Sequence, residues 1–216
     1  MFERLKEDID AVKARDPAAR SSLEIYFLYP GLRAVRMHRR ANWFYRHGHK
    51  FIARHISQRA VRKTGIEIHP AATIGKRLFI DHGTGVVIGE TAVVGDDVTI
   101  YQGVTLGGTG HQTGKRHPTI GNGVLIGAGA KVLGPFKVGD NARIAAGAVV
   151  LNEIPPDSTA VGVPARVVRQ GGVKICESLD QVHIPDPVSQ KICMLESKLY
   201  YMEKELEKLK GSEEEK

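Results

Sequence analysis

Acidic and imidazole side chains that could do chemistry gather at two places in this 216-residue chain. At the first, Glu67 precedes His82 by fifteen residues, in the segments Glu67-Ile68-His69-Pro70 and Ile80-Asp81-His82-Gly83. A carboxylate that holds one imidazole nitrogen leaves the other nitrogen free to act as a base. A histidine at a turn of the chain, with its ring bonded to a backbone carbonyl, would show the same spacing. The spacing alone therefore leaves both interpretations of His82 open.

The second place is Arg116-His117, at the end of the polar, glycine-rich segment 107–118. A loop histidine is often only solvated, but the cations Lys115 and Arg116 beside this one suit an anion or a carboxylate. The run from Gly107 to Gly110 could bring backbone N–H groups close to a ligand, although a glycine run by itself is a weak signal.

The elements that must position these residues follow from an aliphatic residue that returns every six positions. A period of six matches neither an α-helix nor a simple alternating strand. It predicts a mainly β fold, a hexapeptide β-helix, in which each short strand points one aliphatic side chain at a common axis. Unbroken repeats from 120 to 155 disfavour a sandwich of unrelated strands. The repeating residues are Ile68, Ile74, Ile80, Val86, Ile88, Val94, Ile100, Leu106, Ile120, Ile126, Val132, Val138, Ile144 and Val150.

Three hexapeptides make one triangular coil, so the repeat over about residues 66–155 predicts roughly four stacked coils. Roughly eighteen residues then return the chain to the same side one coil higher. The fifteen-residue spacing places His82 near a corner, within reach of the Glu67 carboxylate. The six-residue repeat is interrupted between Leu106 and Ile120. A polar loop that leaves a regular solenoid costs packing, so we expect this loop to have a function.

The flanking segments predict three domains: helices over 1–64, the β-helix over 65–170 and a tail over 171–216. Residues 1–15 are amphipathic, and Asp16-Pro17 is typical of a helix N-cap followed by proline at the first helical position. Pro30-Gly31 predicts a break, after which a helical stretch runs to about Lys63 with a turn near Gly48. Residues 160–168 predict one closing strand.

The tail has a hinge signal at Gly171-Gly172, followed by apolar residues that alternate steps of four and three. This pattern predicts a heptad helix that coils with copies of itself or packs on the body, with a charged end over 213–216. The seam residues are Val188, Ile192, Leu195, Leu199, Met202, Leu206 and Leu209.

Composition excludes several classes of protein. No apolar run is long enough for a membrane span, and the charged start is unlike a secretory signal. Cys176 and Cys193 suit reduced thiols, so we expect a cytoplasmic protein without disulfides.

The net charge is +7, and residues 33–63 hold ten Lys or Arg and no acid. Trp43, Phe44, Tyr45 and Phe51 in that basic stretch could bind nucleic acid, but we favour a helix pair with the aromatic rings in its core and expect no nucleic acid.

Three motifs resemble one family. The segments GIEIHPAATIGKRLFIDHGTGVVIGETAVVGDDVTIYQGVTLGGTG, KRHPTIGNGVLIGAGAKVLG and IPPDSTAVGVPARVV closely resemble serine O-acetyltransferase, the hexapeptide-repeat enzyme that makes O-acetylserine for cysteine synthesis. The resemblance covers roughly residues 8–170, and DHGTG, GGTG and RHP in this order are specific to that family. It implies left-handed coiling, an exception to the usual right-handed crossover.

The resemblance implies roles for single residues. His82 matches the catalytic base, and its orienting carboxylate falls on Glu67, where many members have Asp. Asp16 and Asp81 match positions that hold the substrate ammonium and hydroxyl. Arg116 and His117 match the pair that engages the substrate carboxylate across a subunit boundary. The acetyl-CoA groove is implied along Gly108, Thr109, Ala128, Arg143, Ala146 and Arg166.

In the implied reaction the seryl hydroxyl attacks the thioester directly in a ternary complex, while His82 takes its proton and passes it to the thiolate. The family also implies a homotrimer, no metal and possible feedback inhibition by L-cysteine. Members that dock into cysteine synthase end in Ile, whereas this chain ends Glu-Glu-Glu-Lys, so we expect no such complex.

Three other functions stay open at this point. An acyltransferase for another hydroxyl would use the same coil, but Asp16, Asp81 and Arg116 suit a zwitterionic acceptor. A γ-type carbonic anhydrase would bind zinc through histidines; the candidates are His69, His82, His111 and His117. A catalytically dead scaffold would have no need of Glu67, His82 and His117.

Overall fold

The computed structural model describes residues 2–110, 113–170 and Met202. The chain divides into two compact units, Met1–His183 and Ile184–Lys216, and every element below belongs to the first. The predicted tail features, namely the Gly171-Gly172 hinge, the heptad helix, the two cysteines and the charged end, lie outside the described residues apart from Met202, which is helical. None of the described helices is long and apolar enough to cross a membrane.

Four helices precede the repeat, which confirms the predicted helical segment. They are α1 (Phe2–Arg15), α2 (Ser22–Leu28), α3 (Pro30–Arg46) and α4 (Lys50–Thr64). The prediction of a helix N-cap at Asp16 is wrong: Ser21 caps α2 by accepting from the Glu24 N–H, and Asp16 accepts from the Ala18 N–H in the turn after α1. Pro30 is the first residue of α3, where its missing N–H costs no helical hydrogen bond.

The repeat forms three parallel sheets that wrap around one axis. The first face contains β1 (Glu67–Ile68), β4 (Val87–Ile88), β7 (Thr105–Gly107), β10 (Lys131–Leu133) and β13 (Val149–Val150). The second contains β2 (Thr73–Ile74), β5 (Val93–Val94), β8 (Thr119–Ile120) and β11 (Lys137–Val138). The third contains β3 (Phe79–Ile80), β6 (Thr99–Ile100), β9 (Leu125–Ile126), β12 (Arg143–Ile144), β14 (Ser158–Val161) and β15 (Arg166–Gln170).

The aliphatic residues of the six-residue repeat form the core, as predicted. Every repeating residue except Ile74 is at most 4% exposed. Burying a branched aliphatic side chain contributes about 1.5–3 kcal/mol relative to leaving it exposed. Because each coil covers the row below it, this contribution is made only when the coils are stacked.

The strand register shows where the coil takes up extra residues. Strands of the second coil pair with those of the third at the regular spacing of eighteen, as in Val87 with Thr105. The first coil is two residues longer, since Glu67 pairs with Val87. The polar loop adds eight, since Val93 pairs with Thr119. Both additions leave the coil at corners, and both carry predicted site residues.

Two sequence predictions outside the coil are corrected. The expected single closing strand is a hairpin: β14 continues the third face beside β12, and β15 returns antiparallel to it. The aromatic residues of the basic stretch do not all fill a helix core, because Trp43 is 54% and Phe51 is 85% exposed. The expected helix pair itself is present as α3 and α4.

The helices are fixed to the first coil by polar contacts and one close approach. Asn42 donates to the Pro70 carbonyl at 2.8 Å, and Ser57 donates to the Ile68 carbonyl at 3.0 Å. Asp97 binds the guanidinium groups of Arg15 and Arg77 at 2.9 and 2.6 Å, which ties the end of α1 to the second coil. A Cβ at Gly31 would lie 2.2 Å from the Ile80 carbonyl oxygen, so α3 approaches the strand that leads into Asp81-His82 as only glycine allows.

We expect Gly31→Ala to destabilise the protein by about 1–3 kcal/mol, because the added methyl group must push α3 away from β3. Chemical unfolding followed by circular dichroism measures the change. The matched control is Arg40→Ala, an exposed position of the same helix, which should stay within about 0.5 kcal/mol. Equal stability of Gly31→Ala and Arg40→Ala would contradict the close contact.

Candidate active site

His82 stands on the lengthened corner between the third and first faces. The connection from β3 to β4 has six residues, whereas the next one, from β6 to β7, has four. His82 adopts a φ of 54° and the following Gly83 a φ of 80°, so the chain reverses sharply there. A Cβ at Gly83 would lie 2.5 Å from the Ile66 Cδ1 atom, which keeps the turn tight against the core. The result is an exposed imidazole at the foot of the coil.

Glu67 lies on β1, in the first coil of the first face. Its side chain is 35% exposed, and its carboxylate lies 3.5 Å from the Arg54 guanidinium of α4. Within the described part of the chain, no hydrogen bond joins Glu67 to His82. The predicted pairing of these two side chains therefore stays a prediction, and Arg54 is a partner that the sequence did not indicate.

Asp16 and Asp81 come together around Tyr29. The Tyr29 hydroxyl donates to the Asp16 carboxylate at 2.7 Å. Burial raises the pKa of Tyr29 above its ordinary value, and the hydrogen bond to Asp16 and the charges of Asp16, Glu24 and Asp81 raise it further. The carboxylates of Asp16 and Asp81, two of these three, create a negative patch beside the His82 turn. Such a patch suits a substrate ammonium group.

Arg116 forms an ion pair with Glu90, which follows β4 at the corner between the first and second faces. The hydrogen bond from Arg116 lowers the pKa of Glu90, although partial burial opposes this shift. Burial lowers the pKa of nearby His69, and the charge of Glu90 partly opposes this shift. The lowered pKa favours the charged form of the Glu90 carboxylate, which is the form that pairs with Arg116.

His117 is 8% exposed and packs on the backbone of Gly89. A Cβ at Gly89 would lie 2.0 Å from the His117 Cδ2 atom, so this contact excludes any larger residue. Thr91 contacts the Nδ1 atom with its N–H at 3.2 Å and with its hydroxyl at 2.9 Å. Burial, followed by the charge of Arg116, lowers the pKa of His117, which favours a neutral imidazole at pH 7.

The proposed acetyl-CoA positions lie at different corners. Ala128 and Ala146 belong to the corner column above His82, where backbone bonds such as Gly147 N–H to the Ala128 carbonyl at 2.8 Å link one coil to the next. Gly108 lies beside Arg116 and Thr109 follows it, at the corner between the first and second faces. Arg143 is on β12 of the third face, and the exposed Arg166 begins β15.

The predicted residues thus fall into two half-sites at opposite edges of the first face. One half-site holds Asp16, Asp81 and His82, and the other holds Arg116 and His117. A six-residue side of the coil spans up to about 20 Å. Among the described residues, no hydrogen bond or ion pair joins His82 or Asp81 to Arg116 or His117.

Sequence reasoning missed Tyr29, Glu90 and Thr91. A usable signal existed for Thr91: it precedes His117 by 26 residues, which is one regular coil plus the eight residues of the inserted loop. No comparable spacing points to Tyr29, because it lies outside the repeat.

Among the residues that the structure describes, no group of three or more His, Cys, Asp or Glu is placed to hold a metal ion, and His111 lies outside them.

Comparison with known proteins identifies close relatives. Residues 117–152 match the family model described as bacterial transferase hexapeptide (six repeats). A serine acetyltransferase of Bacillus pumilus is 56% identical over 97% of this chain and 94% of its own length. One from Bacillus subtilis is 53% identical over 95% of both chains.

Solved structures agree with these relatives. A serine acetyltransferase in complex with cysteine has a TM-score of 0.77 and 44% identity over 79% of this chain. The soybean serine acetyltransferase complexed with serine has a TM-score of 0.75 and 48% identity over 77% of this chain. The match covers 66% of the first of these solved chains and 68% of the second.

We expect Arg116→Gln to raise the pKa of His117, because it removes a nearby positive charge and frees the Glu90 carboxylate. A titration of the His117 ring by NMR measures this change. The matched control, Lys137→Gln on β11, neutralises a cation outside the Arg116–His117 corner and should leave the His117 pKa unchanged. An unchanged or lower pKa in Arg116→Gln would contradict the electrostatic arrangement.

Proposed function

The chain belongs to the serine acetyltransferase family, and from that premise we propose which of its residues carry out the transfer. It is an acyltransferase that moves an acetyl group from acetyl-CoA to the hydroxyl of L-serine, and its repeat is a left-handed parallel β-helix. The resemblance seen in the sequence motifs is thereby confirmed, and the comparisons favour this function over another hydroxyl acceptor, a carbonic anhydrase or a dead scaffold.

His82 is the general base. A seryl hydroxyl is a poor nucleophile at neutral pH, so a base must take its proton as the oxygen attacks the thioester carbon. The new C–O bond forms, the C–S bond breaks, and the protonated His82 returns the proton to the departing thiolate. The observation that supports this role best is the lengthened corner, which holds the His82 ring exposed at the foot of the column that carries Ala128 and Ala146.

Glu67 stabilises the imidazolium that forms during the attack. Its carboxylate lies on β1, beside the corner from which His82 projects, and forms an ion pair with Arg54 at 3.5 Å. Movement of the Glu67 side chain from Arg54 toward His82 would replace one ion pair with another. The proposed substrate complex therefore contains a Glu67–His82 pair, with Arg54 as the resting partner.

The serine zwitterion is bound at its two ends by the two half-sites. The carboxylates of Asp16 and Asp81 receive the ammonium group, and the Arg116–His117 pair receives the carboxylate. Because these groups lie at opposite edges of one face, the proposal requires two protomers to contribute to each site. A closed ring of three chains, the homotrimer expected from the family, repeats this contact with one kind of interface.

Acetyl-CoA extends from His82 along the column of small residues. Ala128 and Ala146 leave room for the chain that carries the thioester, and Gly108 and Thr109 of the neighbouring protomer complete the groove. Arg143 and Arg166 supply positive charge for the phosphates.

One relative has been solved in complex with cysteine. Cysteine shares the ammonium and carboxylate of serine, so we propose that it competes for the same groups here.

We expect His82→Ala to lower kcat by about 10²–10⁴ with the fold retained, because the hydroxyl loses its base. Thiol release from acetyl-CoA with L-serine, compared with homoserine and a sugar, measures the rate and the acceptor preference. The matched control is His55→Ala, an exposed histidine of α4, which should keep the full rate. Retention of more than about a tenth of the wild-type rate by His82→Ala would refute the assignment of the base.

We also expect two inactive variants to restore activity when they assemble together. Each site in a mixed trimer of His82→Ala and Arg116→Ala chains is intact when its two contributing protomers each keep the required residue, which random mixing gives at about one site in four. Co-expression with two different affinity tags yields the mixed trimers, and each variant alone is the control. Mixed trimers no more active than the parent variants would show that the site does not span two protomers.

A further inference from the structure

Thr91 contacts both residues of the Arg116-His117 pair at once. Its hydroxyl oxygen accepts from the Arg116 N–H at 3.0 Å and from the His117 N–H at 3.1 Å. The same hydroxyl lies 2.9 Å from the His117 Nδ1 atom, and the Thr91 N–H donates to that atom at 3.2 Å. Four contacts therefore join Thr91 to the Arg116-His117 pair, and Lys115 adds a fifth from the same loop by donating to the Thr91 carbonyl at 2.8 Å.

These contacts specify where the imidazole proton is. A backbone N–H can only donate, so the Nδ1 atom that receives the Thr91 N–H must present its lone pair. The two lone pairs of the Thr91 hydroxyl are already used by two backbone N–H groups, so its hydrogen is directed to Nδ1 as well. A neutral imidazole with Nδ1 unprotonated carries its hydrogen on Nε2.

We infer that Thr91 is a positioning residue that holds His117 in the Nε2–H tautomer, so that the ring presents a hydrogen-bond donor to the carboxylate of the bound serine. This inference rests on the proposed role of His117 in binding serine. The opposite tautomer would turn a lone pair toward the carboxylate and repel it.

The Nε2 atom is available for this purpose. In the described part of the chain, the Nε2 atom has no hydrogen-bond partner. It is also not fully buried, because the buried side-chain atoms without a partner there are His38 Nδ1 and Arg39 Nε. Gly89 supports the ring edge that carries Nε2, since a Cβ there would lie 2.1 Å from that atom. The lowering of the His117 pKa by burial agrees with a neutral ring whose donor is set by tautomer and not by protonation.

The role of Thr91 is specific to its hydroxyl. Valine has nearly the shape of threonine but cannot accept from the two N–H groups or donate to Nδ1, whereas serine keeps the hydroxyl and loses only the methyl group. We expect Thr91→Val to raise the KM for L-serine about tenfold, with the KM for acetyl-CoA unchanged and kcat lowered less than about threefold. Thr91→Ser should restore the KM for L-serine to within about twofold of wild type.

Steady-state kinetics of the full chain test this expectation, with Thr73→Val as the matched control because Thr73 is an exposed β2 residue on the second face. Circular dichroism melting establishes that each variant is folded. A wild-type KM for L-serine in Thr91→Val, or a loss in Thr91→Ser as large as in Thr91→Val, would overturn the inference.

Nitrogen-15 NMR of the histidine rings tests the tautomer directly and does not depend on any variant folding. His117 is assigned with His117→Gln, and the wild-type ring should show Nδ1 as the unprotonated and Nε2 as the protonated nitrogen. In folded Thr91→Val the Nδ1 signal should move toward that of a tautomer mixture. A protonated Nδ1 in the wild type, or an Nδ1 signal unchanged in Thr91→Val, would overturn the inference.

The same kinetics separate this inference from the proposed serine site. If His117→Ala binds L-serine as well as wild type does, then His117 is not part of the serine site and the proposed function of this residue fails. If His117→Ala is impaired but Thr91→Val is not, the serine site stands and the role of Thr91 fails.

Discussion

The vertical stacking of buried aliphatic side chains is the constraint on which the rest of this structure depends. Ile88, Leu106 and Val132 lie in successive coils of the first face and are almost fully buried. A residue added within a strand would move this row off its axis, and every parallel pair above it would be lost. Added residues are therefore tolerated only at corners. The two additions in this chain occur at corners, and the proposed catalytic base and carboxylate-binding pair are on them.

The two half-sites have opposite electrostatic character. The half-site that contains His82 also contains the carboxylates of Asp16 and Asp81, whose charges add to burial in raising the pKa of Tyr29. At His117 burial lowers the pKa most, the charges of Arg116 and Lys115 lower it further, and the charge of Glu90 opposes them. A zwitterion such as an amino acid has one end for each. The separation of charge along one face explains why an amino-acid acceptor suits the proposed interface between two copies.

The helical segment contributes to the site through its contacts with the lowest coils. Arg15 at the end of α1 is bound to Asp97, and this ion pair fixes the start of the turn that carries Asp16. The hydrogen bond from Tyr29 then sets the direction of the Asp16 carboxylate. Gly31 lets α3 pack on β3 directly before Asp81. The helices thereby place one carboxylate beside another that the coil supplies.

The sequence by itself determined the coil, because a period of six repeated over many turns leaves only one way to bury the aliphatic residues. It also indicated His82, through its spacing from Glu67, and Arg116-His117, through the loop that interrupts the period. Only the tertiary structure decided the partners: Glu67 with Arg54, Asp16 with Tyr29, and His117 with Thr91. The first two contacts join residues whose separation in the chain follows no period, and they depend on the docking of the helices. The third spans one coil plus the inserted loop, and it depends on side-chain direction at a corner. Hydrogen bonds of this kind are short and directional, so they follow from the three-dimensional path of the chain, whereas burial follows from the residue pattern alone.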